Sequence, residues 1–319
     1  MLYQKIGHAP FEVSAICLGG VALSAPGDRT GTFRLLDRYL ESGGNMIDTA
    51  NVYGKWYPGG QGTSELNIGS WLREHKTRQR VLLSTKGGHP DLTTMAKPRL
   101  AKADVARDLD ESLKNLGTDF IDLYWLHRDD PQRPAGEMLE YLEDFVKEGK
   151  IRAYGCSNWQ PERIEQASSY AAQHKLAGFC ANQLMWSLAK PNPDALSDLV
   201  AMDDASLALH VKHRLPAFAY MSLANGLFSK MADPSGGELE GRLRSLYENE
   251  TNHRRFTRAR KLALDLNLSP TAVSVAYLIN QKDFTTIPIA GCRTVDQLDD
   301  IMAASQVRLD AATLQELIA

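Results

Sequence analysis

Cysteine is scarce in this chain, with four in 319 residues, and Cys17, Cys156, Cys180 and Cys292 stand far apart. A structural zinc site or redox pair needs short-spaced ligands, so both are excluded, and buried free thiols in a reducing compartment are the expectation. No apolar run approaches the ~18 residues of a membrane span. The first residues, Met1-Leu2-Tyr3-Gln4-Lys5-Ile6-Gly7, have neither a basic n-region nor an apolar h-region. Lys and Arg are scattered and the formal charge is only −3 at a pI near 6.3, so no basic stripe offers itself to nucleic acid or anionic lipid. A cytoplasmic protein with a small-molecule partner is expected, with no nucleic acid and no membrane; oligomeric state is not legible.

What is present is ordinary globular material: 43% hydrophobic, 24% charged and 8% aromatic residues. Apolar strands alternate with amphipathic helices along the whole chain. A short hairpin from Lys5-Ile6-Gly7 to Glu12-Val13 precedes a strand over 14–20 that ends in Gly19-Gly20. Phe33, Leu35, Leu36, Tyr39 and Leu40 recur at helical spacing before Gly43-Gly44. A second strand ends at Asp48, and Thr63 or Ser64 is expected to cap the next helix. Further strands are predicted over 80–86, 120–127, 151–157, 178–187, 216–223 and 284–290, with helices near 103–115, 135–148 and after Pro161. Ala224 to Asn252, with Pro234-Ser235-Gly236-Gly237 in its middle, reads as one long irregular loop.

Eight strands in strict alternation with helices, without a linker, imply an α/β fold, a closed (β/α)8 TIM barrel with a short N-terminal β-hairpin, as one domain over residues 1–319. A doubly wound open sheet is the competing topology, and the missing Gly-x-Gly-x-x-Gly turn after the first strand stands against it.

Barrel geometry gathers strand carboxyl ends on one face. Asp48, Lys86 and His127 end three consecutive strands, and Tyr53 follows Asp48 in the adjoining loop, so these four are expected around one pocket. An ammonium near a phenol lowers the phenol's pKa from about 10, a carboxylate keeps the ammonium charged, and a histidine can hydrogen-bond a carbonyl oxygen. Such a set protonates an alkoxide, half of a ketone reduction. The other half needs a hydride source. Ser157-Asn158 and Gln183, at strand ends, can bind a carboxamide edge, and Tyr220 offers a flat stacking face; together they describe a site for nicotinamide. Singly, each residue has a plainer reading: a turn, a surface lysine, or, for Ser157-Asn158, a helix N-cap before Pro161. His210 and His213, three apart near a helix end, read as solvated surface rather than metal ligands, and no metal is expected. Trp71, Trp125 and Trp186 read as packing residues.

In order, Asp48-Thr49-Ala50 with Tyr53-Gly54, Ser84-Thr85-Lys86, Asp122 to His127, Gly155-Cys156-Ser157-Asn158, Asn182-Gln183, and Ala219-Tyr220 with Leu223 and Gly226-Leu227 resemble the motifs of the aldo-keto reductase superfamily. The resemblance implies an NAD(P)H-dependent reductase of an aldehyde or ketone, or the reverse alcohol oxidation, with Tyr53 as general acid and Lys86, Asp48 and His127 in support. It implies NADPH, with NADH as the alternative, held by Gly20, Ser157, Asn158, Gln183, Tyr220, Met221, Ser222, Leu223, Asn225 and Gly226. After the last strand, Gly291, Cys292, Arg293, Gln297 and Asp300 would take the adenosine end, Arg293 facing a 2′-phosphate. The chain departs from the pattern in having Met221-Ser222 where Ser-Pro is common, and Asp300-Ile301 where a Glu-Asn pair is usual. Val21, Trp56, Tyr57 and His127 are candidate contacts for a small-molecule carbonyl or alcohol, the aromatic pair lying in an insert from Lys55 to Gly62 that resembles those of members acting on sugars or small aldehydes. Two rival readings remain: a cofactor-bound sensor or interaction subunit, and a Schiff-base aldolase using Lys86.

Overall fold

A computed structural model of the chain describes residues 1–233 and 239–319. A hairpin of β1 (Tyr3–Lys5) and β2 (Glu12–Ser14) leads into eight strands that close on themselves, every neighbouring pair parallel. In barrel order these are β3 (Cys17–Gly19), β4 (Met46–Asp48), β5 (Leu82–Gly87), β6 (Ile121–Leu126), β7 (Ile151–Ser157), β8 (Asn182–Met185), β9 (Ala217–Tyr220) and β10 (Thr286–Ala290), with β10 pairing back onto β3. The predicted (β/α)8 barrel and its N-terminal hairpin are both present. The strands are shorter than the apolar runs suggested, because residues flanking them are buried without being laddered.

The outer layer comprises α1 (Arg29–Glu41), α2 (Thr63–His75), α3 (Lys102–Leu116), α4 (Ala135–Lys147), α5 (Pro161–His174), α6 (Asp204–His213), α10 (Pro270–Ile279) and α11 (Val295–Ala303). Their apolar stripes bury against the outer strand faces, as Leu35, Leu36 and Tyr39 of α1 do. Local signals set their starts: Asp28 accepts from the Gly31 amide at 2.9 Å, and Ser269 accepts from the Ala272 amide with Pro270 at the first helical position. Two expected caps are absent. The N-cap of α2 is Gly62, while Thr63 donates to the Ser24 carbonyl and Ser64 to the Gly20 carbonyl. The N-cap of α5 is Gln160, so Ser157 and Asn158 do not cap that helix.

The inner core fills the barrel from the amino end. Ile6 and Val13 of the hairpin pack with Met46, Leu123, Trp125, Ala153, Phe218 and Ile287. Trp125 meets Phe218 edge-on at 5.1 Å, and it has room because its neighbour on β7 is Gly155, where a Cβ would lie 2.6 Å from Cε3 of the Trp125 ring. Trp71 and Trp186 are buried packing residues as well. All four cysteines are buried free thiols, and burial pushes Cys180 and Cys292 up to about 12. Cys180 precedes β8 rather than lying within it.

The stretch from Ala224 to Asn252 is not one irregular loop. It carries α7 (Leu227–Ala232), α8 (Gly241–Tyr247) and the start of α9 (Glu250–Leu266), with Leu227, Leu243, Leu246 and Tyr247 buried. The Pro234-Ser235-Gly236-Gly237 run lies outside the described residues. A last helix, α12 (Ala311–Ile318), packs on α9. Among the described residues no single helix is long and apolar enough to cross a membrane.

His210 is not at a solvated surface; it is fully buried, whereas His213 is exposed and paired with Glu165 at 2.9 Å. His210 Nδ1 lies 2.7 Å from the Leu215 carbonyl oxygen and Nε2 3.2 Å from Asn182 Nδ2. A carbonyl only accepts, so Nδ1 carries the proton and Nε2 accepts from the amide. A second proton would set two donors face to face, and burial draws the pKa from 6.5 to about 4. The unfolded chain therefore binds this proton more readily between those values, and the stability gained from the neutral ring is complete above about pH 6.5 and lost as pH falls toward 4. Thermal melts across that window should show a slope that His210→Gln reduces; identical slopes in both proteins would contradict it.

Candidate active site

Parallel register builds the site. Asp48, the last residue of β4, sits beside Ser84 of β5, and Lys86, two residues farther along β5, sits beside Trp125 of β6. The lysine stem therefore starts farther toward the mouth than the carboxylate, and its amine reaches Asp48 Oδ2 at 2.5 Å and the Thr49 carbonyl at 2.6 Å. The other oxygen, Asp48 Oδ1, accepts from Ser84 Oγ at 2.7 Å and Gln183 Nε2 at 3.1 Å, and Ser84 Oγ accepts from Trp125 Nε1 at 2.6 Å. The ion pair is almost completely buried. Burial alone would lower the lysine pKa, but the Asp48 charge, followed by Tyr53 and the hydrogen bonds of both, more than offsets it and holds the ammonium above its ordinary value.

Tyr53 stands on the loop beyond Asp48 with the Lys86 amine 4.9 Å from its ring centroid. The loop is turned by Gly54 at φ +97°, where a Cβ would lie 2.8 Å from the Thr63 amide nitrogen. His127, just past β6, closes the other side, its ring 5.9 Å from Tyr53 and nearly perpendicular. Burial drives the His127 pKa well below the imidazole range, and the neighbouring His89, Arg128 and Lys86 push the same way. The ring is neutral, and its buried Nδ1 has no hydrogen-bond partner among the described residues. The structure thus brings the four groups near one another at the strand ends.

Within the insert, Trp56 lies 5.9 Å from Tyr57, and it reaches back to 6.1 Å from Tyr53; Trp56 and Val21 are about half exposed. Lys55 pins the base of this insert, bonding Asn51 Oδ1 at 2.7 Å and Glu111 Oε2 at 2.9 Å. Outside Lys86 a cavity of about 140 Å³ is lined among others by Lys55, His89, Asp91, Arg99 and Asp108.

The remaining predicted residues form a second cluster on the same face. Asn158, held at φ 59°, donates to Ser157 Oγ at 3.1 Å and accepts from the Tyr220 hydroxyl at 2.6 Å, which fixes that ring at the end of β9. Gln183 is the second residue of β8, beside Ser157 in register, with its amide nitrogen committed to Asp48. Gly20 donates its N–H to the Asp48 carbonyl at 2.7 Å. After β9, Met221, Ala224, Asn225 and Gly226 all have positive φ, and Leu223 to Gly226 form a tight turn with open space at Gly226. Successive residues of this kind can turn backbone N–H groups into an anion-binding concavity. Ser222 does not face that turn; it is buried and donates to the Ile289 carbonyl at 2.7 Å.

Gly291, Arg293 and Gln297 are exposed, and Gln297 Oε1 accepts from the Arg293 amide at 2.8 Å. Cys292 is buried, and the Asp300 carboxylate accepts from Ser269, the cap of α10, at 2.6 Å. The donor set fits a nicotinamide dinucleotide: amides beside a tyrosine face, a left-handed turn, and an exposed guanidinium.

Sequence reasoning missed the residues that support this site from behind. Ser84, the Thr49 carbonyl and the Trp125 indole act through register and backbone, which no pattern displays. His89, three residues after Lys86 and just past the end of β5, carried a usable signal in that position alone. It packs edge-on against His127.

Residues 15–319 match the model of the Aldo/keto reductase family. The chain is 30% identical to an uncharacterized oxidoreductase, YrpG, of Bacillus subtilis, covering 99% of this chain and 95% of that protein. It is 27% identical to the norsolorinic acid reductase stcV of Emericella nidulans, over 97% of this chain and 78% of the relative. It is 26% identical to the aldo-keto reductase yakc [NADP(+)] of Schizosaccharomyces pombe, over 98% and 89%.

Proposed function

Because the chain belongs to the aldo/keto reductase family, we propose that it interconverts an aldehyde or ketone with its alcohol, Tyr53 giving or taking the proton. The observation that carries this reading is the Lys86 ammonium, gripped by Asp48 and the Thr49 carbonyl and set 4.9 Å from the Tyr53 ring. A bound nicotinamide cofactor supplies or accepts the hydride. Lys86 favours negative charge on the Tyr53 oxygen as the proton leaves, and Asp48 keeps Lys86 cationic. His127 is neutral, and with its buried Nδ1 facing no acceptor it keeps its proton on Nε2, from which it donates to the substrate oxygen. Trp56 and Tyr57 form the apolar wall on the solvent side, and Val21 borders it.

For the cofactor, Ser157, Asn158 and the free oxygen of Gln183 hold the carboxamide, Tyr220 stacks on the ring, and the turn from Met221 to Gly226 takes the pyrophosphate. Arg293 pairs with a 2′-phosphate, making NADPH the preferred form, in keeping with the NADP(+) in the name of the fission-yeast relative. Cys292 and Asp300, buried or already paired, contribute position rather than contacts. The lysine pairing weighs against the Schiff-base reading, because an aldolase needs a neutral amine with a free lone pair.

With NADPH and a panel of aldehydes, Tyr53→Phe should lower kcat by about 100-fold or more while NADPH still quenches protein fluorescence as in the wild type. Near-normal turnover would remove Tyr53 from its role, and cofactor binding without turnover in the wild type would favour a sensor. Arg293→Ala should weaken NADPH by about 10-fold, or about 1.4 kcal/mol, with little change for NADH; equal losses for both cofactors would exclude the 2′-phosphate contact.

A further inference from the structure

The loop from Tyr53 to α2 has no regular structure to stiffen it. Its backbone is a chain of single turns, Tyr53 donating to Ala50, Lys55 to Val52, Tyr57 to Gly54 and Gly60 to Tyr57, each N–H 3.0 Å from its carbonyl. The tip packs on nothing: a Cβ at Gly59 or Gly60 would meet no atom within 4 Å. Among the described residues, Lys55 makes the only side-chain hydrogen bonds of the segment 55–62, donating to Asn51 Oδ1 at 2.7 Å and Glu111 Oε2 at 2.9 Å. Asn51 is buried and its own N–H donates to the Lys86 carbonyl at 3.0 Å, so one acceptor is fixed to β5 while the other stands on α3. A partly exposed ion pair contributes little by itself. Here the same ammonium is shared with a buried amide, and it ties the insert to two elements of the barrel. Asn51, Lys55 and Glu111 also line the 140 Å³ cavity, so open room rather than packed side chains lies beside the base of the insert. Once released, the loop has space to move.

From this arrangement we infer that Lys55 is a positioning residue for substrate selection: it holds the Trp56 ring against Tyr53, and the hold matters only to substrates long enough to reach that ring. Trp56 follows Lys55 directly, and its ring centroid stands 6.1 Å from that of Tyr53, so a displacement at Lys55 is passed to the aromatic wall within one residue. The inference rests on the carbonyl-reduction reading above, because it takes Tyr53 as the place where the carbonyl binds. A wall held in place binds a long substrate without first being ordered by it, which removes one cost of association. It grips substrate and transition state alike, so loosening it raises KM and leaves kcat nearly unchanged. A short aldehyde that stops at Tyr53 does not register the change.

Two measurements on the full chain test this, with wild type, Lys55→Met, which keeps the stem and loses the ammonium, and Lys55→Arg, which keeps charge and donors. Trp71, Trp125, Trp159 and Trp186 are buried, so acrylamide quenching of the five tryptophans reads Trp56. Its quenching constant should rise about 2-fold in Lys55→Met, as a held loop becomes mobile on the nanosecond scale, and return toward the wild-type value in Lys55→Arg. With NADPH, the wild type should show a lower KM for 3-phenylpropanal than for propanal. Lys55→Met should raise the 3-phenylpropanal KM about 5-fold, the size of a lost aromatic contact, with kcat and both propanal constants within about 2-fold. Unchanged quenching in Lys55→Met, or equal KM changes for the two aldehydes, would overturn the assignment. Should Lys55→Met fail to fold, Glu111→Gln, which weakens one of the two acceptors, must shift quenching and the 3-phenylpropanal KM in the same direction, and no shift in either would overturn it as well. A wild type that reduces neither aldehyde would overturn the carbonyl-reduction reading and the selection role with it, while the quenching still shows whether Lys55 holds Trp56.

Discussion

The buried pair between Lys86 and Asp48 is the constraint around which the mouth of the barrel is arranged. Two charges removed from water carry a desolvation cost that their attraction offsets only when the remaining lone pairs and protons are also satisfied. Here they are. Asp48 takes three donors from two strands, Ser84 and Lys86 of β5 and Gln183 of β8, Lys86 Nζ takes the Thr49 carbonyl as a second acceptor, and Ser84 is oriented in turn by Trp125 from the barrel interior. The interior packing that holds Trp125 against Phe218 therefore reaches the carboxylate in two hydrogen bonds, so the geometry of the ion pair is a property of the core as much as of the mouth.

Around that fixed charge the other ionisable groups diverge, as they do where acid and base roles must coexist at one pH. Lys86 is held protonated, while His127 and His89 are held neutral by burial and by nearby cations. The charge thus sits behind the phenol and a neutral imidazole, that of His127, sits beside it. The two flanks of the mouth are built differently: a loop pinned by Lys55 overhangs one, and a strained turn after β9 with four left-handed residues borders the other. Strain of that kind persists only where the surroundings enforce it, and the buried Ser222 bond to Ile289 is one such restraint.

Much of this was legible before the coordinates. Alternating strands and helices gave the barrel, because periodicity and strand order reflect burial directly, and barrel topology alone brought Asp48, Tyr53, Lys86 and His127 to one face. What was not legible depended on partners far apart in sequence. His210 reads as surface beside exposed His213, yet α6 turns it against Asn182 and the Leu215 carbonyl. Thr63 and Ser64 have the composition of caps, but their hydroxyls are drawn to the Ser24 and Gly20 carbonyls, leaving Gly62 to start α2. The segment after Ala224 is rich in polar residues and glycine, which hid the apolar contacts of Leu243, Leu246 and Tyr247 that make it helical. Asp300 looked available and is instead tied to Ser269.

The central claim, that Asp48 keeps a buried Lys86 charged beside Tyr53, is open to direct observation. In protein labelled with 13C at the lysine ε-carbon, the Lys86 resonance, assigned by its loss in Lys86→Met, can be followed against pH by NMR. A wild-type signal unchanged through pH 10.5, with deprotonation moved to lower pH in Asp48→Asn, is the expected result. A wild-type lysine that titrates below 10.5, or that titrates identically in Asp48→Asn, would contradict it.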